Sequence, residues 1–219
     1  MSDGVRKAIR AMFQRGDIIE IRAWDKRGNK YVGRYPYGWG LIEAVDLIDD
    51  GHHDIYVVSN PTKLEPVALR RFMFGTKEGD VKHWRRFLLD VDPVTVAKDI
   101  ANDDELAHAL EVARNAAAWL GSYGCEGIVI AGSGNGIHLL VPCDLPVSPE
   151  SKQIVRRVQR AVSDRFSDER CKIECFNDAD RLVRMYGTVN CKGREISMCL
   201  LDGTKRELEL KHRRSGLIE

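Results

Sequence analysis

The chain has 219 residues, 43% hydrophobic and 31% charged, enough apolar material to pack one domain or two small ones and too much for a disordered chain. No apolar run approaches the roughly 20 residues of a membrane span, and the start MSDGVRKAIRAMFQRGD lacks the apolar stretch and cleavage site of a signal peptide; a cytoplasmic protein with no membrane partner is expected. Net charge is +1, unevenly spread: residues 181–214 hold nine Lys and Arg against four Asp and Glu, a net +5 beside a mildly acidic body.

In chain order, Val5, Ile9, Met12 and Phe13 share a face and predict a short helix over 4–15. Strands over 18–24 and 31–35 flank Asp25-Lys26-Arg27-Gly28-Asn29, a hairpin turn. A helix over 40–49 and a β-branched strand over 55–58 follow. The polar stretch 75–82, with two glycines, reads as an exposed loop. A strand over 86–92 ends at Pro93. Leu106, Leu110, Ala113, Ala117 and Leu120 recur at helical spacing and predict a helix over 103–120, with glycines at 121 and 124 beyond it. Strands over 127–131 and 137–141 enclose Gly132-Ser133-Gly134-Asn135-Gly136. A helix over 149–166 is expected to bury Ile154, Val158, Ala161, Val162 and Phe166. The chain closes with a strand over 171–176, an irregular basic segment to 194, and a hairpin pairing 195–201 with 206–211. The natural assembly is an α+β domain with one largely antiparallel sheet.

The six cysteines are spread too thinly for a disulfide framework, so free thiols are expected. Cys171 and Cys175, four apart on a strand, would stand about 13 Å from each other. That is too far to share a zinc ion with bonds near 2.3 Å.

Three stretches carry chemistry. In Asp90-Val91-Asp92 the alternation of a strand puts both carboxylates on one side, about 7 Å apart. Two hard oxygen donors at a strand end suit a pair of divalent ions; the same pattern also fits solvated aspartates at a strand exit. In Ser133-Gly134-Asn135-Gly136-Ile137-His138 a glycine-rich turn delivers a histidine into an apolar strand, where backbone N–H groups and the imidazole could meet a phosphate. A glycine hairpin with a core histidine is the alternative. In the run from Arg181 to Gly193, Arg181, Arg184 and Lys192 surround a Gly-Thr turn and suit phosphates, although a surface loop with incidental cations has the same composition.

Together, W-R-R-F-L-L-D-V-D-P, S-G-N-G-I-H-L-L-V-P and R-L-V-R-M-Y-G-T-V-N-C-K-G resemble the archaeo-eukaryotic primase superfamily, specifically the primase-polymerase domains of phage and plasmid replication proteins. Upstream, G-D-I-I-E-I-R-A and I-Y-V-V-S-N-P resemble the family's N-terminal strands, so the likeness spans nearly the whole chain. It implies a single catalytic domain over 1–219: an N-terminal α/β part to about residue 82, then a part over about 83–214 whose antiparallel central sheet, flanked by helices, is similar to an RNA-recognition motif. It also implies a template-dependent nucleotidyltransferase making or extending primers on single-stranded DNA from nucleoside triphosphates with two Mg²⁺ or Mn²⁺ ions. A helicase, as a downstream domain or a separate protein, is the further partner implied. Asp90 and Asp92 match the family's paired metal ligands, and Gly136 with His138 matches its small-x-His nucleotide motif, with Ser133 and Asn135 in the same turn. Arg181, Arg184 and Lys192 would assist at the phosphates, and Arg206, Lys211, Arg213 and Arg214 would hold the template. The family's third acid follows a hydrophobic residue on a later strand. Relatives carry Asp there, whereas this chain offers Glu174 after Ile173, with Asp180 as the rival.

Two other functions fit the sequence less well. A rolling-circle nicking endonuclease needs a metal-binding histidine pair on one strand, and Gly136 and Leu140 stand where a partner of His138 would be. A non-catalytic single-strand-binding module needs aromatic platforms, and no candidate strand face gathers them in the sequence.

Overall fold

A computed structural model describes residues 3–71, 73–95, 100–190, 195–196 and 198–200. Helix α1 (Asp3–Met12) buries Val5, Ala8, Ile9 and Met12. Strands β1 (Ile18–Asp25) and β2 (Lys30–Pro36) form the expected hairpin. Its turn is held by the Asp25 carboxylate, which accepts from the backbone N–H groups of Arg27 and Asn29 at 2.9 and 2.8 Å. Helix α2 (Trp39–Ile48), strand β3 (His53–Val58) and strand β4 (Val67–Arg71) complete the N-terminal part. The second part runs β5 (Trp84–Pro93), α3 (Asp103–Ser122), β6 (Val129–Gly132), β7 (Ile137–Leu145), α4 (Pro149–Phe166) and β8 (Cys171–Cys175). Short strands β9 (Leu182–Arg184), β10 (Val189–Asn190), β11 (Glu195–Ile196) and β12 (Met198–Leu200) follow.

The α+β class with antiparallel sheets flanked by helices is what the chain adopts, with two five-stranded sheets where one was expected. The first is ordered β4-β2-β1-β3-β9 and the second β12-β6-β7-β5-β8, every pairing antiparallel. Strands β5 to β8 with α3 and α4 follow a βαββαβ path in the spatial order β8-β5-β7-β6, the split-βαβ arrangement of RNA-recognition motifs. Alternation gives this second sheet two apolar faces. Phe87, Leu89, Val91, Leu139, Val141 and Ile173 pack under α3 and α4, while Leu88, Val129, Ala131 and Leu140 join Ile19, Ile21, Ala23, Ile55 and Val57 of the first sheet in a core between the sheets.

Three expectations change. The stretch 75–82 is only partly the exposed loop expected: Lys77, Gly79 and Lys82 are exposed, but Thr76 and Val81 are buried, and Thr76 donates its backbone N–H and hydroxyl to the buried Glu20 carboxylate at 2.8 Å each. In α4 the buried stripe is Ser151, Val155, Gln159 and Val162, leaving Ile154 50% exposed. Val158, Val162 and Phe166 pack into the core as expected, Ala161 is exposed, and Gln159 turns inward, donating to the carbonyls of Leu88 and Phe176 at 2.8 and 2.7 Å. The basic segment before 194 is not irregular throughout. Its β9 pairs with β3, so the later part of the chain closes the sheet of the earlier part. Residues 195–196 and 198–200 pair with β10 and β6 respectively; positions 202–211 of the expected hairpin lie outside the described residues. Among the described residues no helix is long and apolar enough to cross a membrane.

Candidate active site

The candidate site grows from the register of the second sheet. Asp90 of β5 stands directly opposite His138 of β7 on one side and Glu174 of β8 on the other, and His138 is opposite Ala131 of β6. Directly opposed residues of antiparallel strands hold their Cβ atoms about 4.5–5.5 Å apart. Glu174, Asp90 and His138 therefore form one row on the face that looks toward the first sheet, with Asp92 next along β5. His138 Nε2 lies 3.4 Å from Asp90 Oδ1, with the two side chains 8% and 18% exposed. Asp90 Oδ1 is buried and has no hydrogen-bond partner, a costly state for a carboxylate oxygen unless a cation or donor meets it.

The three sequence stretches meet here. Gly136 sits against the carboxylate pair: a Cβ on it would lie 2.5 Å from Asp92 Oδ1 and 3.0 Å from the Val91 carbonyl oxygen. Tyr186, fully buried, hydrogen-bonds His138 Nδ1 through its hydroxyl at 2.7 Å, which turns Nε2 toward the carboxylates. Asn190 donates from Nδ2 to the Ser133 carbonyl at 2.9 Å and packs where Gly134, at φ +97°, leaves no room for a side chain. Tyr186 and Asn190 are the two site residues that sequence reasoning missed. Both lie within the Arg181–Gly193 run, but their partners are 48 and 57 residues away.

Other expected residues fall in different places. The Ser133 hydroxyl accepts from the Gly136 N–H at 3.1 Å and Asn135 Oδ1 from the Ala101 N–H at 2.8 Å, so both side chains shape the turn. Arg181 stacks over Phe176, its Cζ 3.3 Å from the ring centroid. Phe176 packs into the inter-sheet core and follows Glu174 by two residues, and Arg181 also pairs with Asp178 at 3.7 Å. Arg184, expected at the phosphates, is held elsewhere. On the outer face of the first sheet its Nη1 bonds Asp54 at 2.7 Å and its guanidinium covers Tyr56. Of the acids competing for third ligand, Glu174 is on the row and Asp180 is not. Asn60 Nδ2 donates to both the Arg86 and Ala179 carbonyls, at 3.0 and 2.9 Å, placing Asp180 beside a residue four positions, about 13 Å, up β5 from Asp90. Burial, with Asp178 and Glu78 nearby, holds the Asp180 carboxyl above its ordinary pKa. Lys192, Arg206, Lys211, Arg213 and Arg214 lie outside the described residues.

Among the described residues no three acidic, histidine or cysteine side chains are gathered into a ready metal cluster. The residues present nevertheless suit hard cations: they are oxygen donors, the buried Asp90 Oδ1 makes no hydrogen bond and faces only His138 Nε2 at 3.4 Å, and the neighbouring turn is stripped to glycine where Asp92 needs space. Cys171 is on the opposite, helix-covered face, and burial pushes its thiol up to about 12, as it does that of Cys143. Trp24 of β1 and Tyr56 of β3 meet across neighbouring strands, ring centroids 5.2 Å apart, on the outside of the first sheet.

Comparison of the chain with protein-family models, with curated proteins and with solved structures found no match in any of the three.

Proposed function

We propose that this chain is a template-dependent nucleotidyltransferase, a primase-polymerase that makes or extends primers on single-stranded DNA. In that reaction a primer 3′ hydroxyl attacks the α-phosphorus of a nucleoside triphosphate, the new phosphodiester forms, and pyrophosphate leaves. The observation that carries the reading is the row Glu174–Asp90–His138 with Asp92 beside it, abutting a glycine turn that admits close backbone approach. Asp90, Asp92 and Glu174 would hold two Mg²⁺ or Mn²⁺ ions, which when bound supply Lewis-acid stabilisation of the attacking and leaving oxygens. The chain's own part is to present those carboxylates, to hold His138 through Tyr186 with Nε2 beside Asp90, where ion-bound phosphates would meet the imidazole, and to offer Arg181, from its stack on Phe176, to the triphosphate's charge.

The test is incorporation of labelled nucleotides on a single-stranded template with either ion, comparing the native chain with Asp90→Asn and Asp92→Asn. The expected result is synthesis by the native chain and none by either variant, with unfolding temperatures unchanged or slightly raised, since each substitution removes a carboxylate from a crowded acidic edge. Full activity in either variant, or template binding without synthesis in Mn²⁺, would overturn the proposal.

A further inference from the structure

The outer face of the first sheet was not among the sites expected from the sequence. Helices α1 and α2 send Val5, Ile9, Leu41 and Val45 into the inter-sheet core. Among the described residues, that outer face is crossed at its Glu20–Arg22 end by the segment around Gly75 and Thr76, where Arg22 Nη2 donates to the Thr76 carbonyl at 2.7 Å. Beyond that crossing the face carries Trp24, Lys30 and Tyr56, side by side through the registers Trp24↔Lys30 and Arg22↔Tyr56. Lys30 Nζ lies 5.9 Å from the Trp24 ring centroid, and Trp24 meets Tyr56 edge-on.

Charge on this face is one-sided. Arg22, Lys30, Arg34, Arg70 and Arg184 project from its strands, and Lys26 and Arg27 extend it into the exposed hairpin turn. Among the described residues Glu20, Asp25 and Asp54 lie on or beside this face, and Glu20 and Asp54 take up the nearly buried Arg22, Arg34 and Arg184, which leaves Lys26, Arg27, Lys30 and Arg70 as the cations open to a ligand. Thr76 also binds Glu20, and Asp25 closes the turn. The crowding is felt at Lys30, whose pKa is lowered first by burial and then by Arg22. A tryptophan flanked by cations on an open antiparallel sheet matches the needs of an unpaired strand: a ring for a base to stack on and charge for the phosphates around it. An acidic polypeptide would use the cations and leave the indole idle, and a duplex has no base face to offer it.

We infer that the outer face around Trp24, Lys26, Arg27 and Lys30 is a second single-stranded nucleic-acid site, separate from the carboxylate row and facing away from it. It goes beyond the proposed catalytic function and borrows from it only the identity of the strand.

The experiment measures binding of fluorescein-labelled oligothymidylate by anisotropy in an Asp90→Asn background, without nucleotides. Lys26→Glu with Arg27→Glu, both exposed and clear of the core, should weaken binding at least tenfold and reduce the slope of log affinity against log salt by about 1.4, two phosphates at about 0.7 each. Trp24→Phe should keep the fold and lose the tryptophan quenching that the strand produces in the parent chain. Undiminished affinity in the double variant would overturn the inference, as would an equal loss for heparin and duplex DNA with quenching intact in Trp24→Phe. Incorporation by Asp90→Asn would refute the catalytic reading and leave this result standing.

Discussion

A methyl group added at Gly136 would lie 2.5 Å from Asp92 Oδ1 and 3.0 Å from the Val91 carbonyl oxygen. The carboxylate can swing away, but the carbonyl belongs to the β5 backbone and cannot. Gly136→Ala should therefore remain folded with a loss of about 1–3 kcal/mol from overpacking, visible as a fall of about 2–4 °C in unfolding temperature for each kcal/mol. Because Asp92 is the group displaced, incorporation should drop about a hundredfold, the scale expected of a misplacement near 1 Å. Side-by-side measurement of turnover and thermal unfolding checks this; a destabilised variant with native turnover would remove Asp92 from the chemistry. Patterns at this scale were partly readable without coordinates. Asp90-Val91-Asp92 and Gly136-Ile137-His138 are short-range arrangements, and strand alternation alone assigns their faces. The partner of His138 was not readable, since nothing local marks Tyr186 as the hydroxyl that will reach across 48 residues.

Among the elements, β8 shows why a sheet edge can carry a functional acid. An edge strand leaves backbone groups unpaired, and here α4 and the residue following it cover them. Ser163 donates to the Ile173 carbonyl at 2.8 Å, and Ser167 accepts from the Ile173 N–H at 3.0 Å. Gln159 secures the strand's end through the Phe176 carbonyl. With its backbone fixed in this way, Glu174 stays opposite Asp90 while its side chain remains exposed. Helical periodicity located α4 and most of its buried face, with Val158, Val162 and Phe166 in the core, but missed Gln159, because a satisfied buried amide occupies a place that an apolar pattern assigns to a hydrophobe. Glu174→Gln should abolish incorporation and Asp180→Asn should not. The second variant has a pH signature of its own. Burial raises the Asp180 pKa in the folded state, so the folded protein favours the neutral acid. Stability is then lost as pH rises from the ordinary carboxylate value of 3.8 through the raised one, and that loss persists at neutral pH. Asp180→Asn should unfold at a higher temperature than the native chain at pH 7, with the gap closing below pH 3.8. An active Glu174→Gln beside an inactive Asp180→Asn would reverse the assignment of the third acid.

For the whole molecule, what matters is how two sheets of different sequence origin become one unit. Composition and alternation made an α+β core readable, but the count of sheets depends on long-range pairing: β1 to β4 pair among themselves, β5 to β8 pair among themselves, and β9 joins the first sheet beside β3. Asn60 supplies much of the join. Fully buried just after β3, it accepts from the Arg85 and Arg86 N–H groups at 2.8 and 2.9 Å and donates to the Arg86 and Ala179 carbonyls. One side chain thus ties the end of the first sheet's β3 to β5 and to the segment leading into β9. Arg85 adds a second tie, its guanidinium bonding both oxygens of Asp17, a residue 1% exposed, at 2.8 and 2.7 Å. Asn60→Ala deletes four hydrogen bonds to backbone groups, besides one to the Ser59 hydroxyl, and strands those groups in the interior, a cost of about 4 kcal/mol at roughly 1 kcal/mol for each of the four. If the sheets are one cooperative unit, tryptophans from both should report the same shifted transition: Trp24 of the first sheet and Trp84 of the second, followed separately after replacing the others with Phe. Coincident curves displaced by about 8–16 °C are expected at 2–4 °C per kcal/mol. Separated curves, with Trp84 unmoved, would mean that the second sheet folds independently and that Asn60 merely trims a loop.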